Sequence, residues 1–240
     1  MSRIYDALQR GASLEASRRG FLSAGSNGGP PVDPIEEGYE RIAQGIQGQP
    51  GWGRKGVILV ASAVHGEGAS TVAREVATLL CRDGSAQAIL VDANLRTPSQ
   101  HLAFRLERTG GLAELATQGL APEAAVRQGA GSLLPVVTAG RPAGSATSIL
   151  GLPPLKAAIE QFRARFDWVI IDGPPITVYS DAAILAPLAD GVVLVVEAER
   201  TRWEVVSQAK RTLEESGGRI LGAVLNRQRY HIPPALYGWL

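Results

Sequence analysis

Six short runs of apolar residues recur along the chain, separated by segments whose apolar residues follow helical spacing. The runs do not alternate apolar with polar residues, so we expect strands buried on both faces, as the strands of parallel sheets are. They lie at residues 57–62, 88–92, 133–139, 168–172, 192–198 and 220–226. Strands that alternate with helices in this way predict an α/β fold with a doubly wound, mostly parallel sheet.

The segments between the runs carry helix signals. One face of the first such helix is expected to hold Val72, Val76, Leu79 and Leu80. Thr97 and Pro98 are typical of an N-cap and the first residue of a helix. Gly217 and Gly218 are expected to end the helix that precedes the last strand.

The chain divides into three zones. Residues 1–19 predict a short amphipathic helix, with apolar Ile4, Tyr5 and Leu8 on one side. Residues 20–34 are rich in Gly, Ser and Pro and predict a flexible linker. Residues 35–240 predict one α/β domain with a short C-terminal tail. The N-terminal helix either packs on its own domain or docks on a membrane partner, and the sequence leaves both open.

Composition excludes several classes of function. The chain has 240 residues, 45% of them hydrophobic and 20% charged, which is typical of a globular protein. The net charge of +1 gives no electrostatic case for binding nucleic acid. No run approaches the roughly 18 apolar residues of a spanning helix, and the start lacks a signal peptide's apolar core. We therefore expect a cytoplasmic protein, and we expect any membrane contact to come through a partner.

Residues that bind metals through sulfur or imidazole are sparse. Cys81 is the only cysteine, which excludes a disulfide and a cysteine metal site. The three histidines, His65, His101 and His231, are too scattered to predict a metal cluster.

A glycine-rich loop joins the first predicted strand to the following helix at residues 62–71. Such a loop makes an anion cradle, because free backbone N–H groups converge at the positive end of a helix. Gly66 and Gly68 permit the loop conformation, and Ser70 is placed to hold Mg²⁺. In the P-loop pattern G-x-x-x-x-G-K-[ST], Ala63 replaces the first glycine and Ala69 replaces the lysine. A glycine-rich turn without a ligand is the alternative.

Two aspartates lie at the ends of predicted buried strands. Asp92 ends the second run and Asp172 ends the fourth. The carboxyl ends of parallel strands form the edge at which α/β sheets bind ligands, so we expect both aspartates beside the glycine-rich loop. A carboxylate there can order the water around Mg²⁺. Alternatively, each aspartate caps a following helix or turn.

Three motifs, in this order, carry a resemblance to a known family: GEGAST, VDANLRTP and FDWVIIDGPP. They resemble the Walker A, Walker A′ and Walker B motifs of the bacterial tyrosine kinases of capsule and exopolysaccharide biosynthesis, and the similarity extends over residues 37–237. Members of that family act with membrane co-polymerases that control polysaccharide chain length. The resemblance implies a P-loop NTPase-like fold that binds ATP or ADP with Mg²⁺.

The resemblance also assigns roles to residues. It places Asp92 and Asp172 at the magnesium ion and the attacking group, with Ser70 as a further metal ligand. It places Asn226 at the base and makes Tyr230 and Tyr237 the candidate phosphoacceptors. The residues at the phosphates would be Gly66, Glu67, Gly68, Ala69, Ser70 and Thr71.

Several positions depart from the family pattern. The family has a lysine where this chain has Ala69, and Val64 stands where Min- and Par-type ATPases carry theirs. Asn94 replaces the second acidic residue of Walker A′. A lysine would neutralise charge on the β and γ phosphates, and phosphoryl transfer depends mostly on positioning and charge. The departures indicate a degenerate kinase. Ala69 could be natural or engineered, and Asn94 together with the altered segment at residues 37–43 favours a natural origin.

The assembly motif and the tail also differ. The family assembles into rings through the motif E-x-x-R-x-x-R. This chain matches it at Glu37, but Glu40 and Ala43 stand in place of the two arginines. Of the tyrosine cluster usual in the tail, Tyr230 and Tyr237 remain.

The sequence favours a regulatory or scaffolding pseudokinase of an exopolysaccharide system, bound to its membrane co-polymerase through its terminal segments. Such a protein would hold a nucleotide weakly or not at all. An active tyrosine autokinase that works without the lysine is the alternative, and a Min- or Par-like ATPase is disfavoured because both lysines are absent. The resemblance is also compatible with a homo-oligomer. Arg96 either faces a phosphate or forms a surface ion pair, and His65 is assigned no role.

Overall fold

A computed structural model describes residues 34–49, 55–82 and 86–228. Seven strands form one sheet in the order β3-β4-β2-β5-β1-β6-β7. Every neighbouring pair is parallel except β3 with β4, which is antiparallel. The strands are β1 (Gly56–Ser62), β2 (Ala88–Asp92), β3 (Val126–Gln128), β4 (Pro135–Val137), β5 (Trp168–Asp172), β6 (Gly191–Glu197) and β7 (Ile220–Asn226).

Helices cover both faces of this sheet. They are α1 (Pro34–Gln47), α2 (Ala69–Arg82), α3 (Gln100–Ala103), α4 (Leu112–Gln118), α5 (Pro122–Ala125), α6 (Ala146–Leu150), α7 (Pro153–Arg165), α8 (Asp181–Leu185) and α9 (Trp203–Glu215). Alternate residues of β1 enter different cores. Ile58 packs with α1 and α2 on one face, whereas Leu59 packs with α4, α7 and α9 on the other. The predicted doubly wound α/β fold is confirmed.

The strand predictions hold at the centre of the sheet and fail at one edge. Every residue of β1, β2 and β5 is buried, as the unbroken apolar runs indicated. The run at 133–139 shortens to β4, and β3 was not predicted. β3 is a three-residue, partly exposed edge strand of sequence VRQ, so it has no apolar run to reveal it.

One helix boundary prediction was wrong and one is confirmed. The helix expected to begin at Thr97 and Pro98 begins at Gln100. Thr97 instead donates hydrogen bonds from its N–H and its hydroxyl to Asn94 Oδ1. The helix α9 ends as predicted, with Gly217 in the left-handed region at φ +83°.

Some predictions concern residues outside the described ranges. The N-terminal helix at 1–19, nearly all of the linker at 20–34, and the tail residues Tyr230 and Tyr237 lie there. Among the helices that the structure describes, none is long and apolar enough to cross a membrane.

Candidate functional site

The glycine-rich loop leaves β1 and enters α2 with two residues in the left-handed region. Gly66 has φ +86° and Gly68 has φ +91°, a conformation that glycine adopts without steric cost. A Cβ on Gly68 would lie 2.3 Å from Asn226 Nδ2, so a side chain at this position has no room. The Gly68 carbonyl accepts hydrogen bonds from the N–H groups of Thr71 and Val72, which begins α2 at the end of the loop.

The buried side chain of Glu67 supports this loop. Its side chain is 1% exposed, and Oε2 accepts a 2.8 Å hydrogen bond from the Val64 N–H. The other oxygen, Oε1, accepts hydrogen bonds from the Glu197 N–H, at 3.1 Å, and from the Thr201 hydroxyl. The carboxylate therefore ties the loop to the end of β6. The resemblance placed Glu67 at the phosphates, but its side chain points away from the cleft and supports the loop.

Ser70 and Asp172 meet at the start of α2. Ser70 Oγ donates a 3.0 Å hydrogen bond to Asp172 Oδ1. Gln100 Nε2 donates to Asp172 Oδ2 at 2.7 Å and to the Ser70 carbonyl at 2.9 Å. Burial raises the pKa of the Asp172 carboxyl to about 6, although the hydrogen bonds from Gln100 and Ser70 act to lower it.

Asp92 lies directly opposite Asp172 in the pairing of β2 with β5. Its carboxylate accepts hydrogen bonds from the backbone N–H groups of Asn94, Ser99 and Gln100. Burial, together with the neighbouring charge of Asp172, raises the pKa of Asp92 well above its ordinary value. Asp92 thus performs the capping role that was its alternative reading, at the edge where a metal is expected.

A cleft of about 220 Å³ lies over the loop. One wall consists of His65, Gly66, Gly68, Ala69, Ser70 and Thr71. Asn94 and Arg227 also line the cleft, and Asn94 Oδ1 is already bonded to Thr97. Of the described residues that line the cleft, His65 and Arg227 carry the basic side chains. Arg227 Nη1 lies 3.3 Å from Glu197 Oε2, a carboxylate that Arg200 also contacts.

Asn226 bonds the glycine-rich loop, whereas Arg96 bonds an acidic residue outside it. Asn226 Nδ2 donates to the Glu67 carbonyl at 2.8 Å, and its Oδ1 accepts from the Arg227 N–H. Contact of Asn226 with a base remains a prediction. Arg96 forms an ion pair with Asp181, with Nε 2.6 Å from Oδ2, so the ion-pair alternative for Arg96 is the observed one.

The side chains of the site suit a Mg²⁺ ion that is bound partly by the protein and partly by phosphate and water. Within the described ranges there is no cluster of three His, Cys, Asp or Glu side chains that could cage a metal alone. Mg²⁺ at phosphate sites needs one or two protein oxygens together with phosphate and water. Ser70 Oγ and the Asp172 carboxylate, joined to each other beside the loop, are such oxygens.

Gln100 is the residue of the site that the sequence did not reveal. Its amide is fully buried between Ser70 and Asp172, and its Oε1 has no hydrogen-bond partner within the described residues. The available signal was its position eight residues after Asp92, which places it at the start of α3 under the same strand edge.

Comparisons with known proteins agree with this geometry. Residues 53–235 match the family model described as ParA, NUBPL iron-transfer P-loop NTPase. The tyrosine-protein kinase YwqD of Bacillus subtilis (strain 168) is 35% identical over 172 residues, which cover 72% of each protein. The chain belongs to the bacterial tyrosine-protein kinase family.

Two further similar proteins extend the comparison. The succinoglycan biosynthesis transport protein ExoP of Rhizobium meliloti (strain 1021) is 31% identical over 71% of this chain, which corresponds to 22% of ExoP. Among solved structures, the kinase domain of VpsO superposes with a TM-score of 0.73 at 27% identity, covering 81% of this chain and 94% of that domain. The fold of a bacterial tyrosine-protein kinase domain therefore covers 81% of this chain.

Proposed function

We propose that this bacterial tyrosine-protein kinase homologue is a pseudokinase that regulates or scaffolds an exopolysaccharide synthesis and export system. The observation that carries the proposal is Ala69, a neutral side chain in the wall of the cleft where the family pattern has lysine. A side chain without charge cannot neutralise a γ phosphate during transfer, and phosphoryl transfer depends on that neutralisation. ExoP, named for succinoglycan biosynthesis and transport, supports the choice of pathway.

Asn94 supports the same conclusion. Its side-chain oxygen accepts two hydrogen bonds from Thr97, and an amide is not a base. The residue that replaces the second Walker A′ acid therefore holds a turn in place and does not accept the proton of a tyrosine hydroxyl.

The residues of the site that still match the family pattern support weak nucleotide binding. The loop at 66–71 offers backbone N–H groups to phosphates, and Ser70 with Asp172 would hold Mg²⁺. Bound Mg²⁺ supplies charge neutralisation at the phosphates. Within the chain, Gln100 orients the Asp172 carboxylate and Glu67 fixes the shape of the loop. ATP or ADP with Mg²⁺ is thus the expected ligand, at low affinity.

The second candidate is an active autokinase, and the intact Ser70–Asp172–Gln100 network favours it. In either case we place the protein in the cytoplasm, beside the inner membrane. It would bind a membrane polysaccharide co-polymerase through residues 1–19 and the tail at 230–240, and self-association is part of the proposal.

The deciding experiment is an autophosphorylation assay with labelled ATP. We expect wild-type protein to incorporate no more phosphate than an Asp172→Ala variant. Phosphate on Tyr230 or Tyr237 that Asp172→Ala abolishes would replace the pseudokinase with the autokinase. In cells, deletion of 1–19 or 230–240 should lower polysaccharide output more than Asp172→Ala does.

A further inference from the structure

His65 is the basic side chain of the phosphate loop itself. It lines the cleft between β1 and Gly66, and it is exposed to solvent. Its ring meets the ring of Tyr179 edge to face, with centroids 5.5 Å apart and an interplanar angle of 76°. Across residues 34–49, 55–82 and 86–228, no hydrogen bond or ion pair engages its imidazole nitrogens.

Tyr179 is itself held in place by an ion pair whose aspartate is buried and whose arginine is exposed. The guanidinium carbon of Arg96 lies 4.0 Å from the Tyr179 ring centroid. Arg96 donates to both oxygens of Asp181, a residue only 1% exposed, and to the Thr147 hydroxyl. The stack from Asp181 through Arg96 and Tyr179 therefore ends on His65. Packing of this kind fixes a side chain without using its polar atoms.

The other basic side chains near the cleft already face carboxylates. Arg96 is neutralised by Asp181, and Arg227 lies beside Glu197. His65 has no acidic partner in the part of the chain that is described. Imidazole changes charge between pH 5 and 8, and in its protonated form both nitrogens donate hydrogen bonds. A charged donor with no internal partner, on a loop built for anions, is suited to a phosphate oxygen.

We infer that His65, in its protonated form, is the cationic phosphate contact of this nucleotide site and partly replaces the lysine absent at position 69. The inference rests on the proposed function, because it requires a nucleotide on the loop at 66–71. It assigns Tyr179 as a positioning residue that holds the imidazole at the mouth of the cleft.

The test is ADP titration by calorimetry with wild type, His65→Gln and His65→Lys. We expect His65→Gln to weaken binding by about fivefold or more, since the charge-assisted bond to phosphate is lost. His65→Lys keeps a cation at this position and should bind at least as tightly as wild type. A Leu133→Lys variant adds the same charge at a side chain that is 78% exposed, outside the cleft, and should leave affinity unchanged.

Other ionisable or charged groups belong to the same part of the molecule: Asp92, Asp172, Tyr179, Arg96 with Asp181, and Arg227 with Glu197. All of them are common to the variants, so the difference between wild type and His65→Gln isolates the imidazole. Equal affinity of these two proteins overturns the inference. If neither wild type nor Ala69→Lys binds ADP, the nucleotide site itself is refuted. If Ala69→Lys binds and His65→Gln matches wild type, only the role of His65 is lost.

Discussion

Gln100 and Asp172 lie 72 residues apart in the chain, and their side chains are joined by a hydrogen bond of 2.7 Å between Gln100 Nε2 and Asp172 Oδ2. This bond turns the other oxygen, Oδ1, toward the hydroxyl of Ser70. The amide of Gln100 also bonds the Ser70 carbonyl, so a single side chain connects the start of α3, the end of β5 and the start of α2. The orientation of the Asp172 carboxylate, which we propose as a Mg²⁺ ligand, therefore depends on Gln100.

Magnesium should lose its effect on nucleotide binding as the pH falls through about 6. The pKa of Asp172 is raised to about 6, and a protonated carboxyl is a poor ligand for Mg²⁺. We expect the tightening of ADP binding by Mg²⁺ to be roughly tenfold smaller at pH 5 than at pH 8, following the ionised fraction. Calorimetry with and without Mg²⁺ measures this. A Mg²⁺ effect of the same size at both pH values would contradict the assignment.

Folding stability should change with pH in the opposite direction. Because the folded pKa of Asp172 is above the unfolded value, the folded protein binds a proton that the unfolded chain has released. The stability from this group is present below the unfolded pKa and is lost as the pH rises through about 6. A shift from 3.8 to about 6 corresponds to roughly 3 kcal/mol at most. Urea unfolding of wild type and Asp172→Asn at several pH values separates this contribution from the rest.

Replacing Gln100 with Leu should move the Mg²⁺ transition to higher pH. The hydrogen bond from Gln100 lowers the pKa of Asp172, so its removal raises that pKa further. Gln128→Leu is the matched control, because the Gln128 amide donates to the Leu133 carbonyl at the surface and is not part of the site. The same Mg²⁺ profile in both variants would show that Gln100 does not act through Asp172.

Restoring a lysine at position 69 should tighten Mg-ATP binding by about tenfold or more. A charge-assisted hydrogen bond to phosphate contributes about 1.5–3 kcal/mol. Ala69 lines the cleft at the first turn of α2, so its side chain is correctly placed. Ala69→Met supplies a long side chain without the charge and should show no gain. Low-micromolar binding by wild type, with nothing added by lysine, would refute this account of the loop.

Alanine at Gly68 should destabilise the fold more than alanine at Gly66. Both glycines have positive φ, so both variants incur left-handed strain of about 1–2 kcal/mol. A Cβ at Gly68 also meets Asn226 Nδ2 at 2.3 Å, whereas nothing lies within 4 Å of one at Gly66. The excess for Gly68→Ala should be about 1–3 kcal/mol in urea unfolding. Equal losses would mean that Asn226 moves aside without cost.

The sequence by itself determined the architecture and the position of the site. Parallel strands need apolar residues on both faces, so the central strands stand out as unbroken apolar runs. Loop glycines and strand-end aspartates mark the edge at which such sheets bind ligands. Both can be recognised from short stretches of sequence. The same pattern exposed Ala69 and Asn94 as departures. The sequence did not predict the edge strand β3, because three partly exposed residues show no apolar periodicity.

Only the tertiary structure decided which side chains complete the site. Glu67 turns inward to bond Glu197 and Thr201, and His65 meets Tyr179. Each contact joins residues more than a hundred positions apart in the chain. Local spacing reports which face of an element is buried, but it carries no information on which polar atoms meet across elements. Those pairings follow from the packing of whole strands and helices, because a buried polar group must find its partner wherever the fold brings one near.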